Sequence, residues 1–200
     1  MQYSQKFLEK LSQFEKFVIE TNQIHNLISK SSEADIRNRH SLDSLKIIPF
    51  IENNLAHNRK FIICDFGSGA GFPAITNALY FTYEKPIENL KIYAFESIGK
   101  KTNFLNEAKN LLGLDNIEIR NQRIESEKNI KADIITARAF ASLSDIFSIS
   151  KNFLKKDTKF ILHKGAKVME EISEAKKKHK FKYDIIKNPD SDGCILLAEI

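Results

Sequence analysis

The sequence predicts an α/β fold: a Rossmann-like, seven-stranded, mostly parallel sheet with an antiparallel last strand, preceded by a helical N-terminal extension. Three observations carry this. From residue 60 onward, short apolar runs alternate with amphipathic stretches of helical period. Gly67, Gly69 and Gly71, three of the seven glycines in the chain, crowd directly behind the first of those runs. The last two runs are joined by the short, turn-rich KNPDSDG, which favours an antiparallel hairpin at the end of the sheet.

A chain of 200 residues suits one core with a modest extension. We place the extension at residues 1–58 and the core at 59–200. Residues 4–20 carry Phe7, Leu8, Leu11, Phe14, Phe17 and Val18 at helical spacing. Residues 33–56 read as further helix through Leu42, Leu45, Ile48 and Phe50, with a break or kink at Pro49. KFIICDF is the first strand, followed by a helix over Pro73 to Phe81. LKIYAFE is the second strand. Residues 99–112 set Phe104, Leu105, Ala108, Leu111 and Leu112 on one helical face, and Gly113 stops that helix. NIEIR and ADIITA are the third and fourth strands, and a helix from Ala141 to Leu154 leads to KFILHK. A lysine-rich helix from Ala166 to about Lys178 precedes the closing strands FKYDII and CILLAEI.

Composition excludes several classes of function. No apolar run approaches the roughly 20 residues that span a bilayer, and the start, MQYSQKFLEK, lacks a signal pattern. A cytosolic protein without membrane contact is expected. Cys64 and Cys194 sit alone in apolar stretches, which suits reduced core thiols rather than a disulfide or a metal site. The net charge of +5 arises wholly after residue 58. It is densest from Lys151 to Lys187, where twelve basic residues face five acidic ones, a balance that attracts polyanions even though most lysine runs are simply solvated.

Open α/β sheets bind ligands at the carboxyl ends of their strands. There the first strand gives Asp65-Phe66-Gly67-Ser68-Gly69-Ala70-Gly71, spaced G-x-G-x-G. The dinucleotide fingerprint needs its third glycine where Phe72 stands, which counts against a dinucleotide. Glu96 ends the second strand, placed to accept hydrogen bonds from both ribose hydroxyls of an adenosine ligand. S-adenosylmethionine has that ribose, no pyrophosphate and a cationic sulfonium, and acidic Asp65 and Glu96 suit it. In Arg123-Ile124-Glu125, Ile124 can face the adenine ring while Glu125 or nearby backbone reads its edge. Glu96 and Glu125 also fit plain solvated strand ends.

The loop after the fourth strand, Ala137-Arg138-Ala139-Phe140-Ala141-Ser142, has neither the cysteine that pyrimidine carbon-5 methylation needs nor the Asn/Asp-Pro-Pro-aromatic motif typical of amino methylation. An acceptor with its own lone pair, such as guanine N7, has no proton to lose and relies on alignment. Arg138 can hold the cofactor carboxylate, a phosphate or guanine O6, or make an ordinary strand-end ion pair. Lys100 and Lys101 occupy a helix's first turn, where the dipole disfavours cations; a local rule broken beside a ligand site marks function, and a solvated face is the alternative.

DFGSGAGFP, AFES-x-x-KK-x-x-FL, NQRIE at 121–125, TARAFASL and HKG, with HNLIS and RHSLDSL upstream, closely resemble the RsmG/GidB family of bacterial 16S ribosomal RNA guanine-N7 methyltransferases, over nearly the whole chain. The resemblance implies a class I methyltransferase fold, S-adenosylmethionine as donor, and the small ribosomal subunit as partner. By motif match it places Gly67, Phe72, Ile124, Glu125 and Arg138 at cofactor-binding positions. Asp65, Gly69, Gly71 and Glu96 join them from the reading above. Arg37, His40, Lys100, Lys101, Arg123 and Lys164 are the candidate RNA contacts; His40 and Asp43 are better read as structural than as a catalytic pair. No general base and no metal are expected, and a monomer is. Ala74 stands where the family usually has glycine. A small-molecule methyltransferase on the same fold, or an RNA-binding module without catalysis, are the competing readings; the basic stretch opposes the first, the intact loop and Glu96 the second.

Overall fold

The computed structural model describes residues 3–56, 59–189 and 192–200. Strands β1 (Phe61–Phe66), β2 (Leu90–Glu96), β3 (Ile117–Asn121), β4 (Ile134–Arg138), β5 (Lys159–Lys164), β6 (Lys182–Lys187) and β7 (Cys194–Glu199) form one sheet in the order β3-β2-β1-β4-β5-β7-β6. The first five pair in parallel, and β7 runs antiparallel to both neighbours. The β6–β7 hairpin expected at KNPDSDG is present; residues 190 and 191 of that turn lie outside the described residues, as do 57 and 58 at the expected boundary between extension and core.

Strand order reverses between β1 and β4, which opens a crevice above their carboxyl ends. Each face of the sheet has its own apolar core, and β1 contributes to both with period two. Phe61 and Ile63 pack with α1 (Gln5–His25), α5 (Ala74–Leu79) and α6 (Gly99–Leu112). Cys64 and Phe66 pack with α7 (Leu143–Ile149) and α8 (Val168–Lys176). Both cysteines are buried and unpaired.

The helix α1 begins where the Ser4 hydroxyl accepts the Phe7 N–H at 3.3 Å and ends at Asn26, which takes the left-handed conformation. Its buried stripe of Phe7, Leu11, Phe14 and Val18 follows the helical period read from the sequence. The next stretch is more broken than its apolar spacing suggests. It consists of α2 (Lys30–Glu33), a π-helical turn over Arg37–Leu42, α3 (Asp43–Leu45) and α4 (Ile48–Glu52), and Pro49 lies in the first turn of α4, where its missing N–H costs nothing. Two predicted helices change their winding before their expected ends. The helix from Pro73 continues as a π turn over Tyr80–Glu84, and the one after β4 closes in a 3₁₀ turn over Ser150–Phe153. α6 has its predicted bounds and its Gly113 stop, but Leu111 is 43% exposed, because it lies at the rim of the buried face beside α1.

Phe14 joins these layers. Its ring centroid lies 5.1 Å from that of Phe72, just beyond the glycine cluster, and a Cβ on Gly71 would come within 3.1 Å of its Cζ. Because α1 and the sheet share one apolar cluster, heating should give a single unfolding transition with equal calorimetric and van't Hoff enthalpies. Phe14→Ala should lower stability by about 3–5 kcal/mol without splitting that transition; two separate transitions in scanning calorimetry would show independent units instead.

Candidate active site

The glycine loop hangs from a buried carboxylate. Asp65, 1% exposed near the end of β1, accepts the Ser68 hydroxyl at 2.6 Å and the Thr136 hydroxyl of β4 at 2.6 Å. Burial pushes its carboxyl up to about 6, and these two donors oppose the shift. Gly67, Gly69 and Gly71 all take positive φ. At Gly67 a side chain would also run into the Phe140 ring, and at Gly71 a Cβ would meet Ile75 Cγ1 at 2.6 Å, so neither position admits alanine.

Four of the loop's N–H groups are already engaged. Gly67 and Ser68 donate to the Phe95 carbonyl at 3.0 Å, and Gly71 donates to the Ser68 carbonyl at 2.7 Å. Gly69 donates to Glu96 Oε2 at 3.0 Å, while Glu96 Oε1 accepts the Ile98 N–H at 2.8 Å. A pyrophosphate cradle needs such N–H groups free; here these four are occupied, and the Glu96 carboxylate accepts one of them.

Above the loop lies a cavity of about 460 Å³. Gly67, Gly69, Phe72, Glu96, Lys101, Arg123, Ile124, Glu125, Arg138 and His40 all border it. Asp65 and Gly71 do not: Asp65 lies beneath the loop, and Gly71 packs against Ile75 and Phe14. Lys100 is exposed on α6 outside the wall. Arg37 is spent elsewhere, in an ion pair with Glu15 at 2.8 Å and a hydrogen bond to the Ser12 hydroxyl. Lys164 is 7% exposed and pairs with Glu171 at 2.7 Å, so its charge is not presented to solvent.

Ala74 introduces no backbone strain. It opens α5, is fully buried, and its φ is not positive, so the position accepts a methyl group.

Arg138 ties the N-terminal helices to the cavity. Its Nη2 donates to the Arg39 carbonyl at 2.7 Å, Nη1 donates to the Ser44 hydroxyl at 3.1 Å, and Nε lies 3.7 Å from Asp43 Oδ2. His40 Nδ1 lies 3.3 Å from Nη2, and its Nε2 lies 2.8 Å from the Ser32 hydroxyl. Since that hydroxyl gives its proton to the Ser29 carbonyl, Nε2 must be the donor and Nδ1 the acceptor, which fixes a neutral ring. Burial, then the Arg138 charge, lowers the His40 imidazole to about 4.

Leu27, Ile28, Ile98, Gln122 and Phe140 also line the cavity. Site reasoning from the sequence did not select them. Leu27 and Ile28 fall between the two predicted helices, in HNLIS, and Phe140 stood in a loop searched for a cysteine, for an Asn/Asp-Pro-Pro-aromatic motif and for the role of Arg138. The turn that presents Phe140 is strained: Ala139 has φ +49°, a left-handed conformation that costs a residue with a Cβ about 1–2 kcal/mol.

These titrations set a pH dependence. Burial also holds His163 at about 4 while its Nε2 donates to the Asp43 carbonyl. Both histidines are depressed, so their contribution is complete above about pH 6.5 and is lost as pH falls toward 4. Asp65 is raised, so its contribution is complete below 3.8 and is lost as pH rises through about 6. Between pH 4 and 6 two protons bind preferentially to the unfolded chain and one to the folded chain. Stability should therefore fall on acidification, and in His40→Gln the pH dependence of the unfolding midpoint over that window should be nearly flat, as denaturant titrations would show.

Residues 7–189 match the family model described as rRNA small subunit methyltransferase G. The Ribosomal RNA small subunit methyltransferase G of Rickettsia bellii (strain OSU 85-389) is 38% identical over 175 residues, covering 88% of this chain and 83% of that protein. That of Orientia tsutsugamushi (strain Ikeda) is 33% identical over 194 residues, covering 97% and 90%. Among solved structures, the ribosomal protein L11 methylase of Lactobacillus delbrueckii subsp. bulgaricus superposes with a TM-score of 0.59 at 19% identity, over 76% of this chain and 75% of that one. The sheet order and this likeness together make the fold that of the class I S-adenosylmethionine-dependent methyltransferases. With nearly its whole length matched by the family model, the chain belongs to the rRNA small subunit methyltransferase G family.

Proposed function

We propose that this protein transfers the methyl group of S-adenosylmethionine to N7 of one guanine in 16S ribosomal RNA, and that it acts as a cytoplasmic monomer on the small ribosomal subunit. The observation that carries the donor assignment is the glycine loop in which the N–H groups of Gly67, Ser68, Gly69 and Gly71 are already paired, faced by the Glu96 carboxylate in a cavity of about 460 Å³. That arrangement repels a phosphate and suits an uncharged ribose beside a cation.

In this reading each oxygen of Glu96 keeps lone pairs for the ribose hydroxyls while holding the backbone of Gly69 and Ile98 in place. Ile124, 5% exposed, supplies the apolar wall for the adenine, and Glu125 lies beside it at the rim to read the base edge. Gly67 and Phe72 shape the floor. Arg138 is a positioning residue: it holds segment 39–44, which brings His40 to the wall of the cavity. The helical first quarter, residues 1–58, is then an extension that completes the donor site of a core at 59–200. S-adenosylmethionine supplies a methyl group on a sulfonium, so the guanine N7 lone pair forms the new N–C bond as the S–C bond breaks and its electron pair stays on sulfur. No proton leaves N7, and the protein's task is alignment. Lys101 and Arg123 on the cavity wall, with exposed Lys100 on α6, are placed to meet RNA phosphates; Arg37, His40 and Lys164 are engaged within the protein.

Incubation with labelled donor and small-subunit RNA from cells lacking the modification should place label on one guanine, mapped by reverse-transcription arrest after cleavage at N7-methylguanine. Donor binding without label in that RNA would overturn the reading. Glu96→Ala should weaken donor binding about 10- to 100-fold by calorimetry. Arg138→Ala should weaken it at least about tenfold and lower the melting temperature, because four residues of segment 39–44 lose their anchor.

A further inference from the structure

Beside the donor cavity, across the Phe140 side chain, lies a second cavity of about 420 Å³ bordered by Ala137, Ser142, His163, Lys164 and Glu171. Phe140 lines both cavities, and at 39% exposed it is the one aromatic among the large apolar side chains left open in the described residues. Its position is built in from two sides. The left-handed turn at Ala139 directs the chain, and the ring rests on Gly67 so closely that no side chain fits there. An exposed ring held this firmly at the border between two cavities is a stacking surface.

The polar end of the second cavity has a defined donor and acceptor pattern. Glu171 Oε2 accepts both the Lys164 ammonium at 2.7 Å and the Leu143 N–H at 2.8 Å, which leaves Oε1 without a partner among the described residues. Lys164 also donates to the Ala141 carbonyl at 3.0 Å, so the carboxylate cannot turn away without unpairing two donors. The edge of guanine that carries N1–H and the N2 amino group offers donors to such an oxygen; adenine has no amino group at position 2. In a purine, N2 and N7 lie at opposite ends, so a guanine held at N2 by Glu171 turns N7 away from that carboxylate.

We infer that the second cavity is the acceptor site, in which an unstacked guanine lies on Phe140 and is selected through its N2 amino group by Glu171 Oε1. This deepens the proposed N7 transfer and rests on it. Phe140 sets the plane of the base at the border the methyl group must cross, and Glu171 sets which edge faces the donor.

The test uses the full-length protein and small-subunit RNA carrying either guanine or a single inosine, introduced by splinted ligation at the mapped base. Inosine keeps N7 and N1–H and lacks only the N2 amino group. At saturating donor, Phe140→Ala should lower kcat/KM for the RNA about 10- to 100-fold, and Phe140→Tyr should restore it to within about threefold. The unaltered protein should prefer guanine to inosine about tenfold. Glu171→Gln should erase that preference, because an amide that keeps its oxygen on Lys164 and Leu143 presents NH₂, a donor, where Oε1 stood. A merely structural role for Glu171 would slow both RNAs equally and keep the preference. If the unaltered protein labels no RNA, the proposed reaction fails; if it labels RNA and Phe140→Ala matches it, or the inosine preference is absent or survives in Glu171→Gln, the acceptor site fails alone.

Discussion

The Asp65 carboxylate is the constraint on which the site depends. A carboxyl group buried this completely is costly unless donors meet it, and both of its oxygens are met, by Ser68 from the loop and Thr136 from the adjacent strand. That pairing pins the loop to β4 as well as to β1. It thereby fixes the loop relative to Arg138 and Phe140, which follow Thr136 on the same strand and turn. A residue that lines neither cavity thus sets the geometry of those that do.

From this anchor the site grows in two directions. Toward β2, the Glu96 carboxylate takes the Gly69 N–H and gives the loop its second fixed point. Toward the N-terminal helices, the Arg138 guanidinium spans backbone and side chains from Arg39 to Ser44. Phe72 is the apolar counterpart of that bridge, with ring centroids 5.1 Å from both Phe14 and His40. A neutral His40 is a condition of this arrangement, since an imidazolium would place a second positive charge against Arg138.

The core of the fold was legible in the sequence because β1, β2, β4 and β5 are buried along their middles and read as apolar runs, and because glycine marks the end of β1; the edge strand β3 alternates instead. Segment 33–56 was legible only in part: its apolar spacing reads as helix broken at Pro49, and nothing local reports the further breaks into short helical turns before that proline. In the site, Gly67, Glu96, Ile124 and Arg138 were found through their place after strands. Asp65 was selected for the right position but for contact with a ligand. Its neighbours in space, Ser68 and Thr136, show why it faces inward, and Thr136 lies 71 residues away in the chain. Lys164 was read by charge, and a partner seven residues further on takes that charge up.

Phe140 shows why a strand-end rule finds half of such a site. The rule locates groups that bind a ligand from the sheet side, where position along the strand decides orientation. Phe140 acts from a turn, and its direction depends on Ala139 adopting a conformation that alanine seldom takes. The ring then packs directly against Gly67, and Gly67 in turn has no room for a side chain. The first glycine of the loop therefore answers to two demands, a left-handed backbone and a ring lying across it, and only the first of them is visible in a G-x-G spacing.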